Sequence, residues 1–160
     1  MRYPLEVTRA MRAVVPKSVP LGARITGSDW LEGGLTPADA VAVARMLKEA
    51  GCDYVDVSSG GATSDARTPT TPGYNVDIAA EVRRETGIAT RTVGLIVTPQ
   101  QAEAVIADGK ADMIALGRAA LDNPHWGWNA ARVLGAEVKR PPQYARTTGK
   151  MWPGLAMQGT

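Results

Sequence analysis

The stretch TVGLIVTPQQAEAVIADGKADMIALGRAALDN, residues 92–123, reads as strand, glycine turn, helix, strand, and then a Gly-Arg pair opening another helix. Glycine just past a strand end lets backbone N–H groups approach a ligand closely, and a helix N-terminus favours an anion. Arg118 adds a planar, permanently charged fork suited to phosphate. A single turn of this kind carries little weight. Two of them, at Gly94 and Gly117 on consecutive βα units, point to one phosphate held between adjacent strands.

The same alternation extends through the chain. Residues 21–26, 54–57, 89–93 and 113–116 are short, mostly apolar strand candidates. The first is followed by a helix with Thr36 as cap, Pro37 at its first position and Gly51 as its stop. The next helix is capped by Asn75 or Asp77 and runs to Thr86, and another starts at Thr98-Pro99 and runs to Asp108-Gly109. Arg118 to Leu121 opens a short helix and residues 124–134 form a further one, while residues 4–15 carry apolar residues at near-helical spacing ahead of the first strand. The units recur at roughly 30 residues, the length of a βα repeat.

Strict alternation of β and α with short apolar strands implies a parallel sheet covered on both faces. No G-x-G-x-x-G follows the first strand, so a dinucleotide fingerprint is absent there. Ligand-type residues stand instead at or near the carboxyl end of every strand: Arg24, Ser58, Gly94, Gly117 and Arg118. That is how a (β/α)8 TIM barrel distributes its active site, but eight units need roughly 250 residues. The expected fold is therefore α/β, half of a (β/α)8 barrel over residues 1–138, with a Pro-, Gly- and Thr-rich tail over 139–160.

Composition bounds the function. The 160 residues carry a formal net charge of +2 with no basic run, which argues against a nucleic-acid binder. The apolar runs are too short for a membrane span and the N-terminus has no signal-peptide core, so a soluble, cytoplasmic chain is expected. One cysteine, Cys52, rules out an internal disulfide and fits a reducing compartment. One histidine, His125, leaves no multi-histidine metal site. The loop over residues 60–74 is long enough to suggest a functional role.

Several segments together resemble the old yellow enzyme family of flavin ene-reductases, in its bacterial, thermophilic-like subclass. They are residues 1–7 (MRYPLEV), 23–30 (ARITGSDW), 56–61 (DVSSGG), 93–96 (VGLI), 115–118 (ALGR), 122–124 (DNP) and 143–146 (QYAR). Their order and spacing match the family's C-terminal half, so the resemblance implies that this half-barrel is the C-terminal one, strands 5–8 of the (β/α)8 barrel. The resemblance implies FMN as cofactor, NADPH or NADH as hydride donor and an enone as substrate. It implies that Gly94, Gly117 and Arg118 cradle the FMN phosphate, with Ser58 near the same phosphate, and that Arg24 faces the flavin pyrimidine edge. It further implies that Arg146 enters a neighbouring subunit's active site in a homo-oligomer. The family's N-terminal half supplies the paired histidines or His/Asn that hold the substrate carbonyl and the tyrosine proton donor, and none of these matches a residue here. His125 lies in a peripheral helix and does not correspond to them. The chain is thus expected to need a complementary N-terminal half-barrel chain, as a split half, a fragment or one chain of a two-piece enzyme.

Plainer readings stand beside these. Arg118 can be a surface arginine, Arg24 a structural ion-pair partner of Asp56 or Glu32, and Arg146 a solvated charge. Gly94 can serve strand–helix packing alone, and residues 58–61 can be no more than a tight turn. Cys52 is read as an inert buried thiol, the Trp126/Trp128 pair as packing, and Asp108, Asp112 and Asp122 as caps and turns. The alternative function is a stand-alone half-barrel that binds FMN or a phosphorylated ligand without ene-reductase activity. A third is a non-catalytic remnant whose open strand edges serve assembly.

Overall fold

The computed structural model describes residues 1–61 and 63–157; the last three residues of the expected tail lie outside it. Helix α1 (Arg2–Val14) precedes four βα units: β1 (Gly22–Thr26) and α2 (Pro37–Glu49), β2 (Tyr54–Ser58) and α3 (Val76–Thr86), β3 (Ala89–Thr92) and α4 (Pro99–Ala107), β4 (Met113–Ile114) and α5 (Arg118–Asp122). Helix α6 (Trp126–Val133) and two 3-10 helices, Pro142–Thr147 and Pro153–Met157, complete the chain. The strands form one parallel sheet in the order β1-β2-β3-β4, so each unit lays its strand beside the last. This is a four-unit portion of a (β/α)8 barrel.

Local sequence sets the helix ends. At the start of α2, Thr36 Oγ1 accepts from the Asp39 N–H and the Asp39 carboxylate accepts from the Thr36 N–H. The Thr36 hydroxyl, donating to Asp39 Oδ2 at 2.6 Å, and then the Thr36 N–H hold the Asp39 carboxyl below its ordinary value. Thr98 caps α4 by accepting from the Gln101 N–H. Gly87 ends α3 with φ 61°, the left-handed conformation that glycine adopts freely. Strand β4 is shorter than expected, although the Ala115 N–H still donates to the Thr92 carbonyl at 2.8 Å and carries the pairing one residue further.

The pleat sends alternate residues to opposite faces. Ile25, Val55 and Val57 point toward α2 and α3 and pack with Ala40, Ala44, Leu47, Ile78, Ala79 and Val82. Val55, Val57 and Val82 are fully buried there. A second cluster of Val76, Ile96, Ala102, Val105 and Ala111 packs beneath α4, with Trp126 of α6 against it. The opposite face carries Arg24, Tyr54, Asp56, Ser58 and Arg91 and is the inner wall of the partial barrel, so the expected cover on both faces is corrected to helices on one side, as the curl of a barrel sheet requires.

On the outer side of β1 the fold is open. A groove of about 500 Å³ runs between α1 and β1, lined by Val7, Met11, Leu21, Ala23, Ile25 and Leu47 among others. Tyr3, Val7, Met11 and Val14 of α1 are exposed, and Thr8 is the helix's one buried residue.

The loops at the carboxyl ends of β1, β2 and β3 are joined by a single run of hydrogen bonds. Trp30 Nε1 donates to Ser59 Oγ at 2.7 Å, Ser59 Oγ donates to Asn75 Oδ1 at 2.6 Å, and Asn75 Nδ2 donates to the Val93 carbonyl at 2.9 Å. Asn75 is fully buried. It occupies the N-cap position of α3 but makes no side-chain cap bond. The expected capping role is therefore replaced by a tie between loops. Among the described residues, two outside glycine take positive φ, Trp30 at 54° and Leu95 at 49°, both in these loops. Backbone held this way persists only where its surroundings fix it.

Leu47→Ala should destabilise the protein by about 2–5 kcal/mol, since it empties a buried site in the main core; urea unfolding monitored by circular dichroism measures it. Asn75→Ala should cost about 1–3 kcal/mol by leaving Ser59 and the Val93 carbonyl without their partner. The same variant should increase amide hydrogen exchange in the loops after β1, β2 and β3 together.

Candidate functional site

The carboxyl end of the sheet gathers most of the residues singled out in the sequence. Thr92 of β3 is in register with Ile114 of β4, so the turn containing Gly94 lies beside the turn containing Gly117. Gly117 immediately precedes α5, and an added Cβ there would meet nothing within 4 Å. Arg118, the first residue of α5, is exposed. No hydrogen bond or ion pair engages it among the described residues. An unengaged guanidinium beside an open glycine and free helix-end N–H groups suits a phosphate.

Gly94 has an additional reason to be glycine. Its φ is 123°, and a Cβ would come within 3.1 Å of the Tyr74 ring and of Asn75 Nδ2. The Gly94 carbonyl also accepts from the Gly73 N–H at 2.9 Å. The end of the long loop thus lies directly against this turn, and the packing reading of Gly94 accounts for its residue type.

Arg24 and Ser58 come together two strands away. Arg24 Nη2 donates to Ser58 Oγ at 2.6 Å, and Nη1 donates to Asp56 Oδ2 at 3.4 Å. The ion pair with Asp56 is present, and no bond to Glu32 appears among the described residues. Arg24 nevertheless keeps most of its side chain open, at 63% exposure, while Asp56 is 2% exposed. Ser58 therefore meets Arg24 rather than standing free beside the Gly94–Gly117 pair.

Arg91 was not singled out by sequence. It lies on the inner wall level with Asp56, donates from Nη2 to Asp56 Oδ2 at 3.2 Å, and stacks 5.5 Å from the Tyr54 ring centre. The Asp56 bond raises the guanidinium above its ordinary value. The available signal was a charged residue at mid-strand in ATRT, facing the same way as Asp56. Trp30, Ser59 and Asn75, which tie the loops, carried no pattern beyond turn chemistry.

The remaining candidates separate from this end. Arg146 is exposed in the 3-10 helix Pro142–Thr147 and has no hydrogen bond or ion pair among the described residues. His125 stacks on Trp128 with ring centres 4.4 Å apart, Tyr144 meets both edge-on, and Arg140 lies 4.9 Å from the Trp128 ring. That cluster fastens the tail to α6. Cys52 is buried, and desolvation, aided by the Asp53 charge, pushes its thiol up and away from reactivity. Asp112 accepts from Arg83 and from the Thr90 N–H, a structural role. Among the described residues no group of three or more His, Cys, Asp or Glu is placed to hold a metal ion, and no helix is long and apolar enough to cross a membrane.

Comparison with known proteins bears on this arrangement. NADPH dehydrogenases of Geobacillus thermodenitrificans (strain NG80-2) and Listeria monocytogenes (strain EGD-e) are 48% and 40% identical over 127 residues, 79% of this chain. The chain spans about 37% of the length of these relatives. A 2-naphthoyl-CoA reductase in complex with 2-naphthoyl-CoA superposes with a TM-score of 0.70 at 22% identity, covering 84% of this chain and 21% of that one. The monotopic membrane protein (S)-mandelate dehydrogenase superposes at 0.55 and 19% identity, over 82% of this chain and 31% of that one. These two likenesses speak to fold alone. Residues 1–136 match the sequence pattern of a flavin oxidoreductase family. This chain belongs to the NADH:flavin oxidoreductase / NADH oxidase family.

Proposed function

We propose that this chain is the cofactor-binding part of an FMN-dependent NAD(P)H oxidoreductase that reduces activated C=C bonds, completed by an N-terminal half-barrel chain. The observation that carries the reading is the unengaged Arg118 beside the open Gly117, on the strand end adjoining Gly94, in a flavin oxidoreductase fold. An unengaged guanidinium beside an open glycine supports this end as the site of the FMN phosphate. FMN held there would supply the hydride-transfer chemistry between NADPH or NADH and the β-carbon of an enone.

The chain's own residues would then divide the work. The turns at Gly94 and Gly117 and the Arg118 fork hold the phosphate. Arg24, braced by Ser58, presents a cation to the pyrimidine edge and favours the ring system when it carries negative charge. The exposed Arg146 reaches the active site of a neighbouring subunit in a homo-oligomer. The carbonyl anchor and proton donor come from the complementary half. The open groove beside β1 and the exposed apolar residues of α1 support such a partner, because an unpaired strand edge and a bare apolar stripe both favour association.

Mixing this chain with the N-terminal part of the Geobacillus relative should give a yellow complex that oxidises NADPH when an enone is supplied. A soluble yellow homodimer of the chain alone, inert toward NADPH with or without that part, would replace this reading with a half-barrel that only binds FMN or another phosphorylated ligand. In the active complex Arg118→Ala should weaken FMN binding by about 1.5–3 kcal/mol, the scale of a charge-assisted bond, measured by flavin fluorescence quenching. Unchanged affinity would remove Arg118 from the phosphate site.

A further inference from the structure

The inner wall holds three charged groups side by side in register: Arg24 on β1, Asp56 on β2 and Arg91 on β3. Both guanidiniums donate to the same oxygen, Asp56 Oδ2, Arg91 at 3.2 Å and Arg24 at 3.4 Å. They reach in opposite directions along the barrel axis. Arg24 stretches toward the carboxyl end, with its other arm on Ser58 one layer up. Arg91 leans toward the amino end, over Tyr54 one layer down. Asp56 is buried at 2% exposure, so its charge is poorly screened and must be met by these neighbours.

The sum matters at the carboxyl end. With a single arginine, a buried aspartate would neutralise it and draw it down to the wall. With two, the layer keeps one uncompensated positive charge. Because Arg91 meets Asp56 from below, at 36% exposure against 63% for Arg24, the surplus falls on the arginine that faces up.

We propose that Arg91 is a positioning residue: by sharing the Asp56 carboxylate, it leaves Arg24 as a net cation at the carboxyl end of the inner wall and so sets how tightly that end holds an electron-rich ring edge. The ligand part of this inference rests on the FMN reading above; the charge sharing does not. The guanidinium of Arg91 stays protonated through the whole range in which the protein is handled, because the Asp56 hydrogen bond raises it further. The device is therefore a fixed charge and not a pH switch.

The test uses Arg91→Met, Arg91→Lys and the double variant Arg91→Met/Asp56→Asn. In the chain without flavin, ¹⁵N NMR of the Arg24 side chain should show slowed guanidinium rotation in Arg91→Met, as Asp56 takes hold of Arg24 alone. The double variant should show no such slowing. Unchanged Arg24 signals in Arg91→Met would overturn the charge sharing, whether or not FMN binds. In the complemented protein Arg91→Met should weaken FMN binding by about tenfold, the scale of a partly lost charge-assisted contact. Arg91→Lys should stay near the starting affinity, and removal of the Asp56 charge in the double variant should restore it. If Arg91 acts only through packing, the double variant will bind no better than Arg91→Met, which also overturns the proposal. Absence of FMN binding by the unsubstituted complex would count against the FMN reading, while the Arg24 signals still decide the role of Arg91.

Discussion

A parallel sheet can be built only with a crossover between every pair of strands, and in this chain the crossover helices α2 and α3 pack on one side. Every other feature follows from that one-sidedness. The helix side is dry and is filled by Val55, Val57, Val82 and their neighbours. The inner side is left to polar and charged residues, and its strand ends are left to loops. Chemistry on this fold has no other place to gather.

The inner wall shows how expensive charges are accommodated there. Asp56 is buried, and it accepts from two arginines that arrive from different strands. The register of β1, β2 and β3 is thereby supported by charge as well as by backbone pairing. A slip of one residue between strands would turn Arg24 or Arg91 into the apolar helix side.

Much of this architecture was legible in the sequence because it depends on local signals. Thr36-Pro37-Ala38-Asp39 names its own helix start, and Thr98-Pro99 does the same for α4. The strands were legible from short apolar runs spaced by helical stretches, and their parallel order follows from that spacing. Asn75 stands at the N-cap of α3 but spends its side chain elsewhere, because its position beside a helix start is the same whether it caps the helix or crosses to a neighbouring loop. The choice depends on Ser59 and Val93, which are distant in sequence. Arg91 was missed likewise, because a charge in the middle of a strand has meaning only once the two neighbouring strands are in register. Gly94 and Gly117 were found by the same rule, yet their surroundings differ: one is packed under Tyr74 and the other is open.

The hydrogen-bond run from Trp30 through Ser59 and Asn75 to the Val93 carbonyl joins three loops that belong to three separate βα units. Barrel loops are often pictured as independent modules, each free to be exchanged while the others stay in place. Here that independence is lost. Grafting one of these loops from another protein would sever a bond at its boundary and leave a buried amide or hydroxyl without a partner. These three loops, held together again where the Arg67 N–H donates to the Trp30 carbonyl at 3.1 Å, are therefore one inherited part, and variety in this end of the fold has to enter through the loop after β4.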